Sequence, residues 1–511
     1  MFRFQNLVIP ALRSWIVPTL VVPKFLQKLN FVLDKKFLIL PVFFILSIIG
    51  ILNHEIWLDE AQHYLLARDS NNFSQLLYAC RNEGHPLLWN FILFVVTRFS
   101  HNVFYMQLTH ILISCFTVIL ISKSNLNFPE KILIVFGYYF LYEYNIIGRN
   151  YGLSALFIFL LVYKYMSDRD NIIVLAVITF LLANSHLFSL LLSFAFVFTY
   201  FINNRKDLAA QSKISIIISI FILLAGWIFS IYCIVPPQNY GITFVRYDST
   251  GYFSSERILK TISVCLKGIF YVPDYTAKGN HFENSLYYIS LNLRSWIIYL
   301  LSIIAIILPM YILKNNKFAF TFFCSFILIF LPVYYFLPLV NGIRYFGFFY
   351  LIFIACYIIA RPQIPKIFLR ISMLIFLLQF INSVFMYSAD FRYQFSEGKN
   401  ISDYLKNIKK ESEDVFILDR IIRPSISAYT ERKYFGVENG LPLSYCLWNE
   451  YLPDSILKSK LKDELAKCSG ALIVSTNASL HLIDTTKMVR LKFFGNGIVK
   501  GENAAVFRYI K

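Results

Sequence analysis

The chain has 511 residues, of which 57% are hydrophobic and 15% charged. Ordinary soluble domains carry about 45–50% apolar and about 25% charged residues, so a soluble globular protein of average make-up is excluded. The net charge of +18 does not point to nucleic acid. No basic face is interleaved with exposed aromatics, and lysines and arginines gathered in cytoplasmic loops of a membrane protein account for the excess.

In chain order, Leu7–Val22 reads as a broken amphipathic segment on the membrane surface. Pro10, Pro18 and Pro23, with no small-residue cleavage site, argue against a cleavable signal peptide. Phe37–Leu52, Ile214–Val235 and Ile367–Tyr387 are nearly charge-free and long enough to span, or almost span, a hydrocarbon core of about 30 Å.

Six basic segments set an orientation. They are Arg3–Lys36, Lys123/Lys131, Lys164/Arg169, Arg205–Lys213, Lys314/Lys317 and Arg361–Arg370. With all of them cytoplasmic, eleven crossings are expected near 37–52, 104–122, 131–147, 151–166, 171–184, 186–202, 213–235, 293–313, 318–338, 345–360 and 366–388. Pro86–Phe99 is apolar but short, and is expected to be re-entrant or interfacial. A crossing there would invert every later loop.

The expected organisation is a helical membrane domain over 1–388, with a catalytic outer loop at 53–103, and a small extracytoplasmic α/β domain over 389–511. In the tail, Asp414–Leu418, Ala471–Ser475 and Ala504–Tyr509 have strand length, while Ser402–Lys409 and Ile456–Ala466 look helical. The eight cysteines show no metal-ligand or redox spacing. Cys446 and Cys468 are the pair open to a disulfide.

Five polar clusters fall on the outward face in this arrangement. Asp59 and Glu60 follow the first span, with His63 just beyond. Acids at a bilayer boundary are costly unless solvated or paired; the plain reading is a helix N-cap at Asp59. Glu83-Gly84-His85-Pro86 forms a turn, in which His85 is either a solvated turn residue or functional. Gly148-Arg149-Asn150-Tyr151-Gly152 and Asn341-Gly342-Ile343-Arg344-Tyr345 place arginines where the charge bias disfavours them, and the planar guanidinium fork suits a phosphate. Asn184-Ser185-His186 is a further outward turn. A carboxylate for proton removal, a histidine and two arginines on one face fit transfer of a sugar from a phosphate leaving group to a hydroxyl or amine.

Leu58-Asp59-Glu60-Ala61, Gly84-His85-Pro86-Leu87, Gly148-Arg149-Asn150-Tyr151-Gly152-Leu153, Asn184–Leu192 and Arg344-Tyr345 together resemble the membrane glycosyltransferases of the GT-C superfamily. The likeness is to the family of protein O-mannosyltransferases and lipid A aminoarabinose transferase (glycosyltransferase family 39), over roughly residues 37–360. It departs where the common Pro-Pro after the histidine is Pro86-Leu87.

The resemblance implies a GT-C fold, a polyprenyl- or dolichyl-phosphate sugar donor, and Asp59 as general base and acceptor contact. On this reading Asp59, Glu60 and His85 are catalytic. Arg149, Tyr151, Arg344 and Tyr345 hold the donor phosphate, and His63, Glu83 and His186 are weaker substrate contacts. A divalent metal on Asp59, Glu60 and His85 is optional. The acceptor is a lipid, glycan or protein. Richness in Lys, Asn, Ile and Phe fits an AT-rich bacterial genome, hence a multi-pass protein of the inner membrane active in cell-envelope glycosylation. The competing expectations are a transporter or flippase for a lipid-linked glycan, and a non-catalytic membrane scaffold presenting the tail.

Overall fold

In the computed structural model, residues 38–236, 254–275, 284–293, 295–336, 342–448, 452–476 and 479–510 are described. The expected surface segment Leu7–Val22 lies outside them. The described chain is mostly helical, with a small sheet near its C-terminal end.

The first apolar helix, α1 (Ile39–Asn53), is followed after four residues by α2 (Leu58–Asp69), bent away by 90°. Next come α3 (Phe73–Cys80), α4 (Leu88–Phe99), α5 (Val103–Lys123) and α6 (Phe128–Val135). Then follow α7 (Tyr151–Ser167), α8 (Ile172–Ala183), α9 (Leu187–Asn203), the short α10 (Arg205–Ala209) and α11 (Lys213–Ile234). After α12 (Ser255–Ile262), α13 (Val264–Ile269) and α14 (Ser285–Leu293) come four long helices: α15 (Ser295–Leu313), α16 (Lys317–Phe336), α17 (Ile343–Ala360) and α18 (Lys366–Arg392).

Among the described residues six helices are long and apolar enough to cross a bilayer, and a seventh span results if α1 and α2 are taken as one bent unit. The chain is therefore a multi-pass membrane protein. Of the eleven crossings expected, six or seven among the described residues have the length and composition of a full span, and four further apolar helices are shorter. The stretch expected as a span over 131–147 divides into α6 and a π-helical segment, Tyr138–Glu143. Buried Glu143 and Asn145 in this region need polar partners that an unbroken helix facing lipid would not supply. Helices α7, α8 and α9 have 17, 12 and 17 residues; at 1.5 Å per residue α8 is only about 18 Å long. Pro86–Phe99 yields the 12-residue α4, shorter than the described helices that meet the length for a span.

The exposed side chains of α11, including Ile217, Phe221 and Ile228, suit a lipid-facing exterior. By contrast α17 is buried along almost its whole length and forms the centre against which α7, α13 and α16 pack.

The tail contains α19 (Gly398–Ile408), β1 (Glu413–Ile417), α20 (Arg423–Thr430), β2 (Tyr434–Phe435), β3 (Pro442–Leu443), α21 (Asp454–Lys467), β4 (Gly470–Ser475), β5 (Met488–Phe494) and β6 (Ala504–Tyr509). The main sheet has the order β1-β4-β6-β5, with β1 parallel to β4 and the other pairs antiparallel. Alternation along β4 sends Leu472 and Val474 into one apolar cluster with Ile401, Leu405 and Ile426, and Ala471 and Ile473 into another with Leu457, Leu461 and Leu465, as a period of two requires. The tail therefore has helices on both faces of its sheet. Cys446 and Cys468 form no disulfide; the Cys446 thiol instead donates to the Arg420 carbonyl at 2.7 Å.

Candidate functional site

The centre of the site is Asp59, the second residue of α2. Its Oδ2 lies 2.8 Å from Arg149 Nη1 and 2.8 Å from Arg344 Nη2. Three stretches of chain far apart in sequence meet at one oxygen. Arg149 sits in the turn that opens α7 and Arg344 at the start of α17, so both guanidiniums are delivered by helix starts. The Asp59 side chain is 18% exposed, against 4% for Arg149 and 12% for Arg344, so the carboxylate is the more open part of the cluster.

Aromatic rings lie close to both guanidiniums. Arg344 lies over Trp57 at 5.0 Å and over Tyr345 at 5.1 Å. Arg149 lies 5.7 Å from the Tyr151 ring. Such cation–π contacts contribute about 0.5–2 kcal/mol each when desolvated. The Tyr144 hydroxyl donates to the Arg344 carbonyl at 2.5 Å, and its ring stacks on Tyr151. A Cβ at Gly152 would sit 2.5 Å from His110 Nε2, so glycine at this point of the motif lets α7 approach α5 closely.

The histidines form a row beside the arginines. The ring centroids of His63 and His85 are 5.8 Å apart, those of His85 and His186 are 5.0 Å apart, and His186 is 4.9 Å from Tyr151. His63 Nδ1 is 2.7 Å from Asn90 Oδ1, and His186 Nδ1 accepts from the Phe188 amide at 3.1 Å. Gly84, with φ of 67°, makes the left-handed turn that turns His85 inward. Burial, with His186 and Arg149 nearby, holds the His85 imidazole well below its ordinary pKa, so it is neutral at pH 7. The buried polar atoms here without a partner among the described residues include His85 Nδ1, His186 Nε2 and the Tyr151 hydroxyl. Buried polar atoms are rarely left so, and the three flank the arginines.

Two sequence expectations change. Asp59 is not the N-cap of its helix: α2 begins at Leu58, and the Asp59 carboxylate turns to the arginines. Glu60 instead faces back, with Oε2 3.4 Å from the Trp57 amide. Glu60 also takes partners other than the two arginines. Its Oε2 is 3.0 Å from His54 Nε2, its Oε1 accepts from the Gly148 amide at 2.6 Å, and His54 Nδ1 is 2.8 Å from Asp390 Oδ2. Glu60 therefore supports the Arg149 turn from beneath.

The donor set does not fit the optional metal. The Asp59 oxygen is taken by two guanidiniums and the Glu60 carboxylate by His54 and Gly148. Among the described residues no three His, Cys, Asp or Glu side chains are placed to hold an ion. Glu83 belongs to the border with the tail, where Gln62 donates to it at 2.8 Å and the Trp448 indole at 3.4 Å; burial pushes its carboxyl up to about 7.

His54, Asp390, Trp57 and Tyr144 were not singled out from sequence. Asp390 carried a usable signal, an acid inside the last apolar helix. His54 and the two aromatics carried none, since their roles arise only from contacts across the fold. No protein-family model matches this chain, and no curated protein matches it.

Proposed function

We propose that the chain is an inverting glycosyltransferase that moves a sugar from a polyprenyl-phosphate donor to an acceptor at the outer face of the membrane. The GT-C architecture, the outward placement of the site and a bacterial inner-membrane setting belong to the same proposal. The observation that carries it is the convergence of Asp59, Arg149 and Arg344 on one partly open point.

Two guanidiniums against one carboxylate leave a net positive charge, suited to a phosphodiester. The donor phosphate takes the N–H groups of Arg149 and Arg344, with neutral His85, His186 and the Tyr151 hydroxyl offering further hydrogen bonds. This releases the Asp59 lone pairs. The acceptor hydroxyl or amine then attacks the anomeric carbon opposite the phosphate. The new bond to the acceptor forms as the bond to the phosphate oxygen breaks, the electron pair leaves on the phosphate, and the acceptor proton passes to Asp59.

Preorganised cations at the leaving group supply the electrostatic stabilisation. General-base help adds about 10²–10⁴-fold. Incubation of the purified protein with a labelled polyprenyl-phosphate sugar and candidate acceptors tests the reading. Label transfer by the wild type and its loss in Asp59→Asn is the expected result. Transport of the labelled lipid without transfer, or neither, would refute it.

A further inference from the structure

The tail grips the helix that carries Asp59. The Leu58 amide, one residue before Asp59, donates to Glu502 Oε1 at 2.6 Å. The Ile56 amide donates to the Tyr429 hydroxyl at 2.9 Å. One turn on, the Gln62 side chain makes a reciprocal pair with Cys446, giving a hydrogen bond to its carbonyl at 2.9 Å and taking one from its amide at 2.8 Å. Ser444 donates to Asp69 at the far end of α2.

Glu502 is completely buried, and no cation is paired with it among the described residues. Its partners are donors alone: the Leu58 amide, the Ser425 hydroxyl at 2.8 Å and the Ser396 hydroxyl. The first amides of a helix have no partner within the helix, and Glu502 supplies one from about 440 residues away in sequence. A buried carboxyl in such a place is costly unless its hydrogen bonds are met, and here they are met by the two segments it joins.

We propose that the tail domain is a working part of the transfer site, with Glu502 a positioning residue that fixes the first turn of α2 and so the place of the Asp59 carboxylate. This rests on the sugar-transfer reading. It assigns the tail to the geometry of the proton acceptor, and gives it no role in donor binding, because Arg149 and Arg344 come from the membrane helices. Loss of the clamp therefore lowers kcat without raising the donor KM, since a displaced Asp59 competes no better with the phosphate for the arginines. A displacement of about 1 Å at a reacting group costs up to about 10²-fold in rate.

The test uses full-length protein in lipid nanodiscs, with Glu502→Leu, Glu502→Gln and a control, Leu461→Ala, in the tail's other apolar cluster. Two quantities are read on the same samples: steady-state transfer, and amide hydrogen exchange over residues 57–61. Glu502→Leu is expected to raise exchange there and to lower kcat about ten- to hundredfold, with no rise in the donor KM. Glu502→Gln keeps an oxygen for the Leu58 amide and is expected to restore both. Leu461→Ala destabilises the tail and is expected to change neither.

Wild-type kcat and unchanged exchange in a folded Glu502→Leu protein would overturn the proposal. So would an equal loss of kcat in Leu461→Ala. An inactive wild type would overturn the transfer reading alone, and the exchange of residues 57–61 would still support or overturn the clamp.

Discussion

Replacing Asp59 by asparagine separates donor binding from turnover. In the free protein Asp59 Oδ2 accepts from both guanidiniums at 2.8 Å, so an arriving phosphate competes with the protein's own carboxylate. Hydrogen bonds to charged groups are worth about 1.5–3 kcal/mol net. Asparagine keeps an oxygen and loses the charge. Removing about 1.4 kcal/mol of this competition corresponds to about tenfold in affinity. Asp59→Asn is therefore expected to bind polyprenyl monophosphate about tenfold tighter while turnover falls about 10²–10⁴-fold. Without lipid the variant should melt lower. Two guanidiniums lose their counter-ion, at a cost of about 1–3 kcal/mol, less than for a fully buried pair because Asp59 is partly exposed. Saturating lipid should restore the loss. Native mass spectrometry and thermal melting in nanodiscs, with and without the lipid, measure both. Weaker lipid binding by Asp59→Asn than by wild type would refute the competition argument, and normal turnover would remove Asp59 as the base.

Arg344→Lys keeps the charge and loses the planar fork; the donor KM should rise about tenfold or more, with the acceptor KM little changed, and the reverse pattern would remove Arg344 from the phosphate. Glu60→Leu strips the Gly148 amide and His54 of a buried partner, so it should destabilise the protein by about 3–5 kcal/mol and raise amide exchange over residues 147–150. A stable Glu60→Leu protein with a protected turn would show that Glu60 does not support Arg149. Burial raises the Glu83 carboxyl to about 7, so the folded state holds a proton that the unfolded chain has released. Its contribution is fully present below about pH 4.5 and is lost as pH rises through about 7. Thermal stability should fall by an amount on the order of 1–3 kcal/mol across that window. Glu83→Gln should flatten that part of the profile, and an unchanged slope would contradict the burial argument.

The sequence by itself determined that the chain is a multi-pass membrane protein with an α/β tail, because apolar run length and charge density are local quantities. The strands β1, β4 and β6 fall within a residue of their expected limits for the same reason. The edge strand β5, with its bulge between Arg490 and Lys492, was not evident, since its exposed face carries a mixed pattern. Asp59, His85, Arg149, His186 and Arg344 were legible as polar residues stranded at the ends of apolar runs.

Only the tertiary structure decided which of these side chains meet. Adjacent residues on a helix point about 100° apart, so Asp59 and Glu60, side by side in sequence, face different partners: one the arginines, the other His54 and Gly148. The grip of Glu502 on the start of α2 depends in the same way on a contact between opposite ends of the chain, and no local pattern encodes it.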